Sequence, residues 1–234
     1  MSSSVYHLPK EINDEGNRHH FHETLWKTVA LDLLVTHAGS VAGLDLLDYG
    51  CGRGETLRLA SDRGMRVMGT DLDPECVALS ASSGKTVLLN HPHDPSAQFG
   101  GKQFDVVTCF HVLEHVDRPR EVLSSLARIA RRYVVVAVPN LRSLPRPRAF
   151  AREPIAVNEG HLQGWDHPHF RNLAERHCGL RIIAWGHDHV KFPVIGGLVS
   201  RLGGDAMLRR LETGCWVRWF PFHSSSVIAL MEPV

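Results

Sequence analysis

The chain has 234 residues, 43% of them hydrophobic and 22% charged, and its formal net charge is +1 at pH 7. That length and apolar content suit a single domain with a sizeable core, and they exclude a disordered, collagen-like or disulfide-scaffold chain. A dedicated nucleic-acid binder carries a basic surplus. We therefore expect no nucleic-acid partner.

No apolar run approaches the roughly 20 residues needed to span a bilayer, and residues 1–10 lack the apolar core of a signal peptide. The five cysteines are scattered without paired spacing. Such cysteines are typical of free thiols in a reducing compartment. These features predict a cytoplasmic protein without a membrane partner.

Apolar periodicity predicts strands and helices in alternation along the first 140 residues. Helices are expected at residues 18–36, 55–63, 74–80 and 120–131, and strands at 44–49, 65–70, 86–90, 104–110 and 133–138. Later, a helix is expected at 167–178 and strands at 180–185 and 227–231. Proline-rich residues 141–153 are expected to form a loop, and residues 191–214 are punctuated by glycine, with an amphipathic piece near 207–211. The alternation predicts a doubly wound α/β fold, with seven mostly parallel strands and helices on both faces.

The segment from Asp48 to Glu55 places three glycines between a predicted strand and a predicted helix. Glycine lets the main chain turn sharply and a ligand approach it, and the helix start directs free N–H groups at that ligand. In a dinucleotide fingerprint counted from Gly50, Glu55 would take the place of Gly or Ala and would repel a pyrophosphate. Asp48 can instead accept hydrogen bonds from an ammonium group, which S-adenosylmethionine carries.

Asp71 ends the next predicted strand, about 20 residues beyond the glycine loop. A carboxylate at that place hydrogen-bonds the ribose hydroxyls of an adenosine, and Leu72 can pack on the adenine. A dinucleotide and S-adenosylmethionine share the adenosine. Asp71 therefore indicates the nucleoside without choosing between the two ligands.

The strings LDYGCGRG (47–54), GTDLDPE (69–75), FDVVTC (104–109) and HVLEH (111–115), with Asp94 among them, follow one another in this order. Over residues 40–185 the chain resembles the class I S-adenosylmethionine-dependent methyltransferases, in particular the branch of quinone-biosynthesis and small-molecule enzymes. The resemblance implies a Rossmann-like methyltransferase fold, S-adenosyl-L-methionine as cofactor and a small-molecule methyl acceptor as partner. It implies cofactor contacts at Asp48, Tyr49, Gly50, Cys51, Gly52, Asp71, Leu72, Asp94, Phe110 and His111.

The whole chain, residues 1–234, is then expected to form one methyltransferase domain. Residues 1–39 would supply an N-terminal cap helix, 40–140 the cofactor-binding half and 141–234 the acceptor-side half, with a lid-like insertion at 190–214. The sequence is compatible with a homodimer.

The HVLEH string also fits the inverted zinc-peptidase pattern. Asp117 and Pro119 leave it about one helical turn, which is too short to set both histidines on one helical face beside the glutamate. In some quinone O-methyltransferases that the chain resembles, an acidic and histidine cluster here is tied to a divalent metal, and only Glu114 and His115 match it. We assign no metal ligand. Glu114 and His115 either end the strand and cap a short helix, or His111 or His115 faces the acceptor.

Methyl transfer is an in-line displacement, so the enzyme contributes positioning and the exclusion of water. A hydroxyl acceptor also needs a base, and histidine suits that role near neutral pH. The catalytic candidates are His111, His115, His161 and His169. We expect O-methylation of a small molecule, with N- or C-methylation, a nucleotide-cofactor oxidoreductase and a non-catalytic cofactor-binding domain as alternatives.

Overall fold

Seven strands form a single sheet in a computed structural model that describes residues 18–101, 103–143 and 160–234, with only the backbone given for 18–23, 193 and 194. The strands are β1 (Asp45–Tyr49), β2 (Arg66–Asp71), β3 (Lys85–Leu88), β4 (Phe104–Phe110), β5 (Ala130–Pro139), β6 (Leu180–Gly186) and β7 (Ser226–Pro233). Their order across the sheet is β3-β2-β1-β4-β5-β7-β6. Only β7 runs antiparallel to its neighbours, β5 and β6.

Eight α-helices accompany the described strands. They are α1 (Arg18–Ala38), α2 (Glu55–Ser61), α3 (Pro74–Ser80), α4 (Pro95–Phe99), α5 (Pro119–Ile129), α6 (His167–His177), α7 (Pro193–Arg210) and α8 (Trp216–Trp219). Side chains alternate between the two faces of each strand. Leu46 and Val106 accordingly pack with α1 and α2, and Leu47 and Val107 pack with α5 and α6. The doubly wound, mostly parallel sheet is confirmed.

Several element boundaries differ from the sequence-based expectations. Helix α5 ends at Ile129 and β5 begins at Ala130, where Ala130 pairs with Phe104, so the helix predicted to continue to residue 131 was too long. Helix α4 was not predicted, because five residues are too few to show helical periodicity. The loop predicted at 141–153 lies mostly outside the described residues, as do the side chains at the start of α1.

The segment between β6 and β7, which is punctuated by glycine in the sequence, is mostly helical. Helix α7 continues through several glycines, kinks at Gly204, and passes into a π-helical turn, Leu211–Cys215, before α8. Glycine weakens a helix by about 1 kcal/mol, but packing overrides that preference here. A small separate core of Val190, Leu208 and Trp216 holds the segment together.

The parallel arrangement brings the carboxyl ends of β1, β2, β4 and β5 to one edge of the sheet. Ligands of open α/β sheets bind in the crevice outside that edge. None of the helices in the described part of the chain is long and apolar enough to cross a membrane.

Candidate functional site

The glycine loop after β1 has the conformation that its sequence predicts. Gly50, Gly52 and Gly54 have φ angles of 77°, 50° and 82°, which L side chains rarely adopt. A Cβ on Gly50 would lie 2.3 Å from the side chain of Val112, so the loop abuts the segment that follows β4. A Cβ on Gly52 would meet no atom within 4 Å, because the main chain there faces open space. The loop thus leaves room for a ligand beside its backbone.

Asp71 turns its carboxylate towards this loop. Oδ2 accepts a hydrogen bond from the Gly52 amide at 2.9 Å, and Oδ1 accepts one from the Asp73 amide at 3.0 Å. An ionised carboxylate has about four acceptor positions, so capacity remains for ribose hydroxyls. Leu72 is exposed directly beside it. The position of Asp71 therefore fits the predicted ribose contact.

Asp48 lies buried at the end of β1, with 1% of its surface exposed. Burial raises the pKa of its carboxyl to about 6, against the opposing effect of a hydrogen bond of 2.7 Å from the Thr108 hydroxyl. The Thr56 hydroxyl and the charge of Lys27 also favour the ionised form, and a further cation nearby would stabilise the buried carboxylate. Asp48 is thus suited to an ammonium group arriving at the loop.

Two predicted loop residues turn their side chains into the protein. The Tyr49 hydroxyl donates to the carbonyl of Pro92 at 2.5 Å, and Cys51 fills the space above Gly69. Burial raises the pKa of the Cys51 thiol to about 12, so it remains neutral. Only the main chain of these two residues is available to a ligand at the loop.

Asp94 lies at the start of α4 and contacts α5. Its Oδ1 accepts hydrogen bonds from the hydroxyls of Ser96 and Ser125 and from Arg128. The two hydroxyls are the main cause that lowers the pKa of Asp94 to about 2. This carboxylate joins two helices, and its contact with an adenine remains a prediction.

Helix α1 covers the end of β4 and the start of α2. The ring of Trp26 lies 5.4 Å from that of Phe110 and 4.4 Å from that of His111, measured between centroids. Lys27 forms an ion pair with Glu55, the first residue of α2. Neither Trp26 nor Lys27 was predicted as a site residue from the sequence, and both close the crevice from the side of α1.

His111 adopts a strained backbone directly after β4. Its φ angle is 54°, the one positive value outside glycine in the described chain. Its amide donates to the carbonyl of Ala137, and its Nε2 is buried without a hydrogen-bond partner there. Nδ1 lies 3.3 Å from Oε1 of Glu114. Backbone strain of this kind concentrates at functional sites.

Glu114 is almost completely buried, with 1% exposed. Neither of its carboxylate oxygens has a hydrogen-bond partner among the described residues. One ligand atom each from Glu114, His115 and His161 lies within 4.8 Å of the others. We call His111, Glu114, His115 and His161 the acceptor-side cluster. A buried carboxylate left without a partner signals a missing ligand, ion or water.

The two outer histidines of the cluster are held in place. Nδ1 of His115 lies 2.9 Å from the carbonyl of Gly160, which assigns the proton to Nδ1 and leaves Nε2 as an acceptor. The His161 ring packs edge-on against His115 at 4.8 Å. Burial lowers the pKa of His161, which favours a neutral imidazole. Neutral imidazoles can accept a proton or ligate a metal.

His169, the fourth catalytic candidate, does not join this cluster. It lies in the first turn of α6, with its side chain 77% exposed and Nδ1 2.6 Å from Asp166. Asp166 accepts from the His169 amide as the helix cap and also pairs with Arg142. The structure therefore gives His169 a partner at the helix start.

Comparison with known proteins places the chain in a family. The model of a methyltransferase domain matches residues 18–184. A ubiquinone biosynthesis O-methyltransferase of Pseudoalteromonas translucida (strain TAC 125) is 29% identical over 126 residues, covering 52% of this chain and 53% of the relative. One from Aeromonas salmonicida (strain A449) is 33% identical over 108 residues, covering 44% and 45%. The chain thus spans about half the length of the curated relatives it matches.

Solved structures show the same fold at lower identity. Magnesium protoporphyrin IX methyltransferase from Synechocystis PCC 6803 with bound SAH has a TM-score of 0.60 at 17% identity, over 93% of this chain and 85% of that one. A SAM dependent methyltransferase from Archaeoglobus fulgidus has a TM-score of 0.56 at 19% identity, over 92% and 98%. The family match covers most of the chain. The chain therefore belongs to the methyltransferase domain family, which confirms the resemblance to class I enzymes and the expected cofactor, S-adenosylmethionine.

Proposed function

We propose that this protein transfers the methyl group of S-adenosylmethionine to a hydroxyl oxygen of a small molecule. The observation that carries the proposal is the acceptor-side cluster, in which the buried carboxylate of Glu114 lies beside His111 and close to His115 and His161. The cluster directly follows β4, and Val112 within that segment abuts the glycine loop at Gly50. Cofactor and acceptor chemistry therefore share one wall of the crevice.

The cofactor side of the crevice would bind and orient S-adenosylmethionine. Asp71 would hold the ribose hydroxyls, Asp48 the ammonium group, and the open space beside Gly52 would receive the main body of the ligand. Bound S-adenosylmethionine supplies a methyl carbon that its sulfonium has already activated. Trp26 on α1 would exclude water from the acceptor side through its contact with His111. Positioning and water exclusion are the main contributions an enzyme can make to such a displacement.

His111 is the group that would take the hydroxyl proton. Its unpartnered Nε2 is the available base, and its Nδ1 faces Oε1 of Glu114. Protonation makes the imidazole cationic, and the buried carboxylate of Glu114 would then stabilise it. A base oriented by a buried acid is a recurring arrangement in proton-transfer catalysis.

A divalent cation offers a second route to the same chemistry. Glu114, His115 and His161 would hold it, since their oxygen and nitrogen donors suit such ions and neither oxygen of the carboxylate has a hydrogen-bond partner among the described residues. Anchoring of Nδ1 of His115 by the Gly160 carbonyl is the usual support of a metal-bound histidine. When bound, the ion would polarise the acceptor hydroxyl and lower its pKa.

The curated relatives support oxygen as the acceptor atom. They are named as ubiquinone biosynthesis O-methyltransferases. Nitrogen and carbon acceptors are the alternatives. A base or metal beside the acceptor is most useful for a hydroxyl, because a hydroxyl is a weak nucleophile until its proton is removed. A neutral amine can attack through its free lone pair and lose its proton afterwards. The acceptor-side cluster therefore favours oxygen.

The direct test is turnover with acceptors matched except at the reacting atom. The protein is incubated with S-adenosylmethionine and with a series of hydroxyarenes and the corresponding aminoarenes, and S-adenosylhomocysteine is measured. We expect faster turnover of hydroxyarenes. Preferred turnover of the amines would contradict the choice of oxygen. Tight cofactor binding without turnover of any acceptor would favour a non-catalytic cofactor-binding domain.

Cofactor affinity should depend on pH through Asp48. Burial raises the pKa of this carboxyl to about 6, so the carboxylate that holds the ammonium group is present above that pH and is lost below it. Affinity for S-adenosylhomocysteine should rise by up to about tenfold per pH unit between pH 5 and 6 and level off above. Isothermal titration across this range measures it. Asp48→Asn should remove the dependence, and an unchanged slope in that variant would exclude Asp48 as its source.

A further inference from the structure

The segment between β6 and β7 exposes large apolar side chains to solvent. Six of them, which we call the apolar patch, are Ile195, Leu198, Leu202, Met207, Trp219 and Phe220. Leu202 is 80% exposed and Trp219 is 69% exposed. Scattered surface leucines need no explanation, but a contiguous apolar patch marks an interaction site.

Helix α7 carries exposed apolar side chains along one face before its kink. Ile195, Leu198 and Leu202 follow a spacing of three and four residues, which sets them along this face. Val199, at the border of the same face, is partly buried and packs against the small core of Val190, Leu208 and Trp216. The face is therefore only partly covered by the chain, and an apolar helix face is normally covered by protein or lipid.

Two contacts within the segment bring parts of the apolar patch near one another. Phe192 at the start of α7 contacts Phe220, with 5.3 Å between ring centroids, so the end of α8 lies beside the start of α7. At the other end, the sulfur of Met207 lies 2.3 Å from where a Cβ on Gly203 would be, so Met207 contacts the turn before the kink. Exposed apolar side chains therefore lie on both sides of the kink.

Positive charge accompanies the patch. Residues 193–222 contain four arginines, at 201, 209, 210 and 218, against two acids, a formal surplus of two positive charges. Arg201, Arg210 and Arg218 are exposed. Of the acids, Glu212 is buried and Asp205 accepts a hydrogen bond from Ser200. Because the whole chain carries only +1, this surplus is local.

We propose that the apolar patch docks on the surface of an anionic lipid bilayer. Exposed aliphatic and aromatic side chains interspersed with arginine match the headgroup and acyl boundary of such a surface. Anionic headgroups supply the counter-charge that the arginines require. A second copy of the chain is a poorer fit, since a two-fold contact would place the same arginine-bearing patch against itself. This docking is independent of which acceptor the enzyme methylates.

The test is sedimentation of the full chain with vesicles of phosphatidylcholine alone or mixed equally with phosphatidylglycerol. We expect binding to the mixed vesicles that weakens with added salt, and Leu202→Asp should lower the bound-to-free ratio by at least about tenfold. Leu79→Asp, which changes an exposed leucine on α3, is the matched control and should bind as the parent does. Arg201→Glu combined with Arg218→Glu should reduce both the binding and its salt dependence.

Several results would overturn the proposal. They are absence of binding to the mixed vesicles, equal binding to neutral vesicles, and binding that Leu202→Asp leaves unchanged. A dimer in solution that Leu202→Asp dissociates, without vesicle binding by the parent, would assign the apolar patch to a second copy. Unchanged S-adenosylhomocysteine affinity and melting temperature would show that each variant is folded, since these side chains lie on the surface.

Discussion

Replacing Glu114 by glutamine is expected to lower the rate of methyl transfer by roughly 100-fold or more while changing S-adenosylhomocysteine affinity by less than about twofold. The substitution keeps the size of the side chain but removes its charge. An amide cannot stabilise a protonated His111 in the way a carboxylate does, and it is a poor ligand for a divalent cation. Steady-state turnover and isothermal titration together separate the loss of chemistry from the loss of cofactor binding.

Glu121→Gln is a suitable control for this variant. Glu121 is exposed on α5, and its carboxylate oxygen Oε2 lies 3.5 Å from the guanidinium nitrogen Nη1 of Arg118. Surface pairs of this kind contribute little to stability, so the control should retain both turnover and cofactor affinity. Full activity in Glu114→Gln would contradict a role for the acceptor-side cluster in the reaction.

Chelation distinguishes the two routes that pass through Glu114. If His111 acts as the base without a metal, treatment with EDTA should leave turnover intact and His111→Ala should abolish most of it. If a divalent cation is required, EDTA should inactivate the enzyme until a metal is added back. His115→Ala and His161→Ala should then lower the metal content of the purified protein, since these residues supply donors beside Glu114.

Spacing along the chain predicted which residues meet at the end of β1. Asp48, the three glycines and Asp71 occupy fixed places at the ends of two adjacent strands, and parallel pairing of β1 with β2 brings them together without any long-range information. The positive φ angles of Gly50 and Gly52 and the hydrogen bond from Gly52 to Asp71 follow from that local geometry. In this loop, the conformation that the local sequence favours is the one that the fold requires.

The acceptor side could be predicted only in part. His115 and His161 were each candidates, but they are far apart in sequence and their ring contact depends on how the chain returns after β5. Trp26 lies on a helix whose periodicity indicates which face packs on the sheet, and nothing in that pattern links it to His111. Contacts made by tertiary packing leave no signal in spacing.

The helical conformation of the insertion also depends on tertiary packing. Five glycines and a proline between residues 193 and 214 have low helix propensity, so local preference favours irregular structure. The helix is stabilised by Leu208 and Trp216, which pack on Val190 at the end of the preceding segment. Propensity is a weak prior when packing of this kind is available.

Gly52→Ala should weaken S-adenosylhomocysteine binding by at least about tenfold, which corresponds to about 1.4 kcal/mol. The added methyl group would meet no protein atom within 4 Å, so it would project into the space that the proposed ligand fills. The same change costs about 1 kcal/mol of folding stability, because an alanine there must adopt a left-handed conformation. Loss of affinity therefore has to be separated from this general strain.

Gly179→Ala provides that separation. Gly179 has a φ angle of 65° and is equally free of neighbours, but it lies just before β6, at the edge of the sheet opposite the crevice. Both variants should lose similar stability in thermal unfolding, whereas only Gly52→Ala should lose cofactor affinity. Equal affinity in the two variants would mean that the open space beside Gly52 is not where the cofactor lies. The assignment of the acceptor-side cluster, which depends on a cofactor in that space, would then fail with it.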